Sequence, residues 1–204
     1  GRGNQLATLQ KIIHQKSTTD ELGQLLNDLV EIAKDLDPDS DEARLVKVSK
    51  RGFDQAIKVP PAFSAEMAKV TTVAFGVWHE ARQEDNFVKF QPHLEKIVEL
   101  NQQLAEYFAP YDHIYDPLLD RFEPGMKTAD VKAIFEALRP QQVELIQAIS
   151  EKPQVEDGFL HEEFDEEKQL EFGIGVITQY GYDWKRGRQD KAPHPFTTNF
   201  GVND

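Results

Sequence analysis

Two short stretches of this 204-residue sequence begin like a helix that binds zinc through two histidines, one at His79 and one at His161. Such a helix carries its histidines one turn apart, with a glutamate beside the first that activates the metal-bound water. In the first stretch Gln83 replaces the second histidine, and an amide is a poor zinc ligand. In the second stretch Asp165 stands in place of the second histidine and can bind zinc. A helix is predicted to start within this stretch, so His161 and Asp165 need not share one helix face. Because a zinc site needs three or four converging ligands, we expect neither stretch to bind a metal.

Other patterns that carry chemistry are missing from the sequence or uninformative. The chain has no cysteine, which excludes disulfides, thiolate metal sites and a cysteine nucleophile, and which fits the cytoplasm. It has no glycine-rich phosphate loop and no serine in a nucleophile elbow. Carboxylate pairs are numerous, but in so acidic a chain a pair one turn apart is typical of a solvated helix face.

The net charge and the lack of a long apolar run exclude two classes of partner. Thirty-six acidic and 23 basic residues give a formal net charge of −13, which repels phosphate backbones and anionic lipid. No apolar run reaches the roughly 20 residues that cross a bilayer. With 39% hydrophobic residues, the composition is that of a folded domain. We therefore expect no nucleic acid and no membrane as partner, and a cytoplasmic location.

The elements that must position any site are helical, because apolar residues recur at spacings of three and four. The first stripe starts at Leu6, and a capping box at residues 18–21 starts a second helix that Asp37 and Pro38 end. A third helix follows to about Ile57. The sequence then predicts helices at about 63–84, from near Pro92 to 108, 128–138, 140–149 and 164–180, with a short helix within 109–126.

The fold class that follows is all-α, in one helical region that spans residues 1–204. No repeat, low-complexity tract or convincing domain boundary interrupts it. The two helices at 128–138 and 140–149 are predicted to form a hairpin, and Gly181 stands where it can end the last helix. The sequence does not begin with methionine and stops at Asp204 without a capping signal, so we expect a partial domain of a longer polypeptide.

Two segments combine residue types in a way that helix packing alone does not require. They mix charge, aromatic rings and proline at 115–126 (YDPLLDRFEPGM) and at 191–198 (KAPHPFTT). Both resemble segments of the carboxypeptidase Taq family of metallocarboxypeptidases. Residues 118–125 resemble its Leu-Leu-Asp-x-Tyr/Phe-Glu-Pro-Gly segment. Two further stretches resemble motifs of the family. Trp78 with Ala81-Arg82 resembles its Trp-x-x-Ala-Arg motif, and the residues that resemble its Phe-x-x-Phe-x-Pro-x-Leu motif are Phe87, Phe90, Pro92 and Leu94.

The most specific part of the resemblance is Asp190 followed by His194-Pro195-Phe196, which is similar to the family's His-Pro-Phe signature. Asp204 falls where the family's Asp-x-Arg-x-Thr signature begins. In the family the zinc helix with its His-Glu-x-x-His motif comes later still. The resemblance therefore implies a region truncated before the zinc-binding helix.

The resemblance implies a large, mostly helical metallopeptidase fold with a deep substrate groove. In such a fold a zinc-bound water, its pKa lowered to about 7, attacks the last peptide bond of a substrate with a free C-terminus. Family members are cytoplasmic homodimers with broad specificity, and cobalt can replace zinc. The implied partners are peptides with a free C-terminus and a second copy of the parent. This chain itself is expected to bind no metal.

The resemblance also implies which residues line the substrate groove. His194, Pro195, Phe196 and Asp204 are expected to form part of its wall, and the chain supplies no catalytic residue. The alternative for His194 is a buried imidazole satisfied by backbone groups. The residues expected to be structural, because an arginine–carboxylate pair under aromatic rings fixes helices in register, are Trp78, Arg82, Glu123 and Gly125.

Two functions remain open from the sequence. The first is the non-catalytic N-terminal portion of a zinc-dependent metallocarboxypeptidase that removes C-terminal amino acids from peptides with broad specificity. The second is a self-standing helical interaction or scaffold protein that lacks catalysis. Under the first hypothesis the isolated chain is inactive, and it exposes apolar surface where the rest of the parent would pack.

Overall fold

The computed structural model describes residues 1–199 and confirms the all-α fold class. Of the described residues 67% are helical, and no strand occurs among them. A short 3₁₀ helix, Gly158–His161, precedes the last α-helix. The α-helices, in chain order, are α1 Arg2–Ser17, α2 Asp20–Ala33, α3 Asp41–Ala56, α4 Pro61–Gln83, α5 Phe87–Glu106, α6 Asp116–Leu119, α7 Thr128–Ser150 and α8 Glu166–Gln179.

Side-chain caps start α2 and α3, and the cap of α2 lies within the predicted capping box at 18–21, at Thr19, one residue after the position that the box indicates. The Thr19 hydroxyl accepts a hydrogen bond from the Leu22 amide, and the Ser40 hydroxyl accepts one from the Ala43 amide, both at 3.2 Å. Each cap satisfies one of the amides that a helix start leaves without a partner. Acidic residues fill the first turn of both helices, where their charge complements the helix dipole.

Two predicted helix starts are wrong, because prolines lie inside helices. α5 starts at Phe87, capped by Asn86, and contains Pro92. α7 runs unbroken through Pro140, so the predicted hairpin of 128–138 and 140–149 is one helix. A proline inside a helix removes the hydrogen bond to the carbonyl four residues earlier. Val88 and Glu136 carry those carbonyls and are both exposed, so water can hydrate them.

Residues 1–138 form one compact unit. Within it α1 packs against α4, α4 against α5, and α2 against α3. The centre of its core is Leu100, which is fully buried between Phe63 and Leu104. Partly buried hydrophobic residues surround this trio: Val59, Met67, Val70, Tyr107, Phe108 and Leu118. Buried alanines, Ala74 and Ala81 on α4 and Ala105 on α5, add to the core.

Residues 139–199 belong to a second compact unit. It holds the end of α7, the 3₁₀ helix and α8. Gly181 ends α8 as predicted, in the left-handed region at φ 86°. The Gly181 amide donates to the Thr178 carbonyl and the Tyr182 amide to the Ile177 carbonyl, which is a Schellman ending. The expectation of a single truncated domain over 1–204 stays a prediction.

A search of the described residues for membrane spans finds no helix with both the length and the apolarity that a bilayer crossing requires.

Candidate functional site

The first histidine stretch lies on α4, and its glutamate is already engaged. The Glu80 carboxylate is 2.8 Å from the Lys89 ammonium. The hydrogen bond from Lys89, together with its charge, lowers the pKa of Glu80. Gln83 is the last residue of the helix and lies exposed. Because the Lys89 ammonium stabilises the Glu80 carboxylate, that carboxylate is a weaker base towards the proton of a metal-bound water.

The second histidine stretch does not lie on one helix. His161 ends the 3₁₀ helix, where its Nε2 is 3.2 Å from Asp157 Oδ2. Asp165 is the N-cap of α8, and its Oδ1 accepts from the Glu167 and Lys168 amides at 2.9 and 3.1 Å. The two side chains therefore have separate structural partners. Throughout residues 1–199, no group of three or more histidine, cysteine, aspartate or glutamate side chains is arranged to hold a metal ion.

The segment 115–126 is built around two aspartates, of which Asp116 is the more buried, with 5% of its surface exposed. The Thr128 amide donates to Asp116 Oδ1 at 2.8 Å, and the Lys127 ammonium lies 3.5 Å from Oδ2. The Thr128 hydroxyl beside the carboxylate, then the Thr128 and His113 amides and the Lys127 charge, lower the pKa of Asp116 to about 2. Asp116 thus joins α6 to the start of α7.

The lowered pKa of Asp116 predicts a specific loss of stability in acid. An aspartate whose pKa is lowered on folding stabilises the fold above its unfolded pKa of 3.8, and this contribution disappears as the pH falls towards about 2. We expect Asp116→Asn to melt about 5 °C below wild type at about pH 5, and the difference to vanish by about pH 2. Circular dichroism melts across this range measure it, with Asp35→Asn, at an exposed position outside this ion network, as control. A difference that does not change with pH would contradict the assignment.

Asp120 connects this segment to α3. Its Oδ2 accepts hydrogen bonds from the Arg51 guanidinium at 2.6 Å and from the Gln55 amide at 2.8 Å. Its Oδ1 accepts one from the Gly125 amide at 2.8 Å, and Gly125 adopts the left-handed region at φ 84°. The Arg51 guanidinium also donates to the Asp120 carbonyl at 2.7 Å. One carboxylate therefore fixes a tight turn and a helix 69 residues away.

The residues expected to be structural have that character only in part. The Arg82 guanidinium lies 5.6 Å from the centre of the Trp78 ring, a cation–π contact on α4. Gly125 forms the turn that Asp120 holds, whereas Glu123 is exposed. Arg51 and Asp120 form an arginine–carboxylate pair between α3 and the turn after α6, and spacing could not indicate this pair because its members lie 69 residues apart.

Three of the four predicted groove-wall residues, His194, Pro195 and Phe196, are neighbours in the second unit and are exposed. The His194 imidazole donates through Nδ1 to the Pro195 carbonyl at 2.8 Å, and Phe196 is 75% exposed. His194 is exposed in this chain, and both the groove-wall role and the alternative of a buried imidazole in the parent stay predictions. Lys191 pairs with Glu166 at the start of α8. Asp204 lies outside the described residues, so the role predicted for it stays a prediction.

A cleft between α2 and α3 was not anticipated from the sequence. Its volume is about 560 Å³, and apolar side chains of both helices, including Val30, Ala33 and Val46, line it. Its cationic side chains are Lys34, Lys47, Lys50, Arg51 and Lys58. All of these except Lys34 lie on α3 or just after its end, at helical spacing. This spacing is the feature of the sequence that could have indicated a cationic helix face. We refer to this feature as the α2–α3 cleft.

Comparison with protein families gives one match over the whole chain. The model described as carboxypeptidase Taq (M32) metallopeptidase matches residues 1–204. Thermostable carboxypeptidase 1 of Pyrococcus furiosus is 36% identical over 180 residues, which is 86% of this chain and 36% of that protein. Carboxypeptidase 1 of Bacillus subtilis is 30% identical over 204 residues, which is 100% of this chain and 40% of that protein.

Solved structures agree with the sequence comparison. The crystal structure of BsuCP superimposes with a TM-score of 0.88 at 29% identity, covering 97% of this chain and 40% of that one. The M32 carboxypeptidase of Deinococcus radiodurans R1 superimposes with a TM-score of 0.73 at 34% identity, covering 97% and 39%. The chain thus spans about two fifths of the length of these relatives.

Proposed function

Because this chain belongs to the carboxypeptidase Taq (M32) metallopeptidase family, we propose that it is the non-catalytic N-terminal portion of a zinc-dependent metallocarboxypeptidase. The parent protein removes C-terminal amino acids from peptides with broad specificity, and it works as a cytoplasmic homodimer. One observation carries this proposal. The family match runs along the whole chain, yet the chain covers only 36–42% of its curated relatives.

The residues described here do not fit a zinc site. The carboxylates in the two histidine stretches already have partners, Lys89 for Glu80 and the first amides of α8 for Asp165. A catalytic zinc needs three protein ligands that converge on one point with an open position for water. We therefore assign zinc, or cobalt in its place, to polypeptide of the parent outside this chain. No step of hydrolysis is assigned to the residues of this chain.

The part we assign to this chain is one wall of the substrate groove. His194, Pro195 and Phe196 are exposed in a segment without helix, where their side chains are free to contact a peptide. Proline and an internal hydrogen bond limit the conformations of this segment, and a restrained surface orders less on binding a substrate. We place Asp204 in the same wall.

Exposed apolar side chains in the second unit support the assignment to a larger fold. Phe159, Leu160 and Phe172 are 60%, 62% and 75% exposed. Several large apolar residues exposed on one unit are typical of a surface that other polypeptide covers. In the parent, the remaining polypeptide covers them.

The parent protein provides the test of this function. We expect the gene product that contains residues 1–204 and the polypeptide after them to release single C-terminal amino acids from peptides when loaded with zinc or cobalt. A chelator should abolish the activity, and added metal should restore it. Peptides with an amidated C-terminus serve as the control, because they lack the free carboxylate. A parent that leaves all free-ended peptides intact, with metal present, would favour the scaffold alternative.

A further inference from the structure

The α2–α3 cleft has a row of cations along one wall. Lys47, Lys50, Arg51 and Lys58 line it. Lys50 and Arg51 follow Lys47 by three and four residues, and Lys58 follows Arg51 by seven. Helical residues three, four or seven apart share one face. At a rise of 1.5 Å per residue, α3 advances about 14 Å from Lys47 to its end at Ala56, and Lys58 lies two residues beyond, so the row spans about three helical turns. The floor between the cations is apolar, with Val30 and Val46.

Two of these cations have no carboxylate partner among the described residues. Lys50 pairs with Asp54, and Arg51 pairs with Asp120. Lys47 forms no ion pair in the part of the chain that the structure describes, and Lys58 lies 5.5 Å from the centre of the Phe108 ring. The chain has 36 acidic and 23 basic residues, so this cleft is opposite in charge to the chain as a whole. Its charge is complementary to an acidic ligand.

We propose that the α2–α3 cleft binds an acidic amphipathic helix of a partner polypeptide. A groove between two packed helices accepts a third helix, whose apolar side chains fill the floor. Acidic residues one turn apart on that helix then reach Lys47 and Lys58, the two cations that lack a carboxylate. Three turns of helix match the length of the row. The cleft lies in the first unit, and the inference does not rest on peptidase activity.

Fluorescence polarisation of the 204-residue chain with a labelled peptide tests this docking. The probe is a helix of about 14 residues in which leucine and glutamate alternate at helical spacing, and a second probe has glutamine for every glutamate. We expect saturable binding of the glutamate probe in the micromolar range, and binding about ten-fold weaker for the glutamine probe. Raising the salt concentration should weaken binding of the glutamate probe only.

Substitution of one cleft cation locates the site. Lys47→Glu should weaken binding of the glutamate probe about ten-fold, whereas Lys11→Glu, the same charge change on the exposed surface of α1, should alter it less than about two-fold. Lys47 is exposed, and circular dichroism checks that each variant stays folded. Absence of saturable binding up to about 100 µM chain overturns the proposal. Equal affinity of both Lys→Glu variants also overturns it, as does self-association that Lys47→Glu abolishes without any peptide binding, which would make a second copy the occupant.

Discussion

Replacing Leu100 with alanine is expected to lower the free energy of unfolding by about 4 kcal/mol. Leu100 has no exposed surface, and it packs between Phe63 and Leu104 in the core of the first unit. Removing three buried carbon atoms loses their transfer free energy and leaves a cavity. The neighbours cannot collapse into it easily, because Phe63 is itself held against the Tyr107 ring at 5.2 Å between ring centres.

Urea titration followed by circular dichroism measures this loss of stability. The matched control is Leu45→Ala on α3, because Leu45 is 67% exposed and its truncation should change stability by no more than about 0.5 kcal/mol. If the Leu100 variant lost less than about 1 kcal/mol, Leu100 would not lie at the centre of a packed core.

Replacing Asp120 with alanine is expected to cost about 2 to 3 kcal/mol of stability. The substitution leaves three donors without their carboxylate acceptor, namely the Arg51 guanidinium, the Gln55 amide and the Gly125 amide. The Arg51 and Asp120 side chains are 37% and 35% exposed, so water replaces part of what is lost. The estimate therefore stays below that for a fully buried pair.

A double-mutant cycle with Arg51→Ala separates the ion pair from the other contacts of Asp120. We expect a coupling of about 1 kcal/mol between the two positions, measured in the same urea titrations. Asp35→Ala is the control for loss of an exposed aspartate and should be near neutral. Additive effects of the Arg51 and Asp120 substitutions would show that the pair does not join α3 to the turn.

Local signals were sufficient to predict most of the helices. The capping box at 18–21 located the start of α2 to within one residue of its cap Thr19, because a capping hydrogen bond joins residues only three positions apart. Gly181 ends α8 for a similarly local reason, since its positive φ disfavours other residues. Interactions of this range can be inferred from spacing alone.

Local signals were misleading at Pro92 and Pro140. Each proline reads as a helix start, since proline suits the first turn. The outcome depends on what lies upstream: Asn86 caps α5 six residues before Pro92, and α7 is already formed before Pro140. The carbonyls that lose a hydrogen bond belong to the exposed residues Val88 and Glu136, so the helices continue at modest cost.

The tertiary links could not be predicted from the sequence. The Leu-Leu-Asp-x-Phe-Glu-Pro-Gly motif indicated that residues 118–125 are unusual. It did not indicate the partner of Asp120, which is Arg51, 69 residues away. No spacing rule connects positions so distant. The groove-wall residues were found only through family resemblance, and their role in the parent stays a proposal.

The central claim is that the metal and the catalysis of this family lie in polypeptide outside residues 1–204. The most direct test is the zinc content of the purified chain after dialysis against zinc, measured by inductively coupled plasma mass spectrometry together with release of C-terminal amino acids from a peptide. We expect far less than one zinc per chain and no release. One tightly held zinc per chain, with metal-dependent release of C-terminal residues, would contradict the claim.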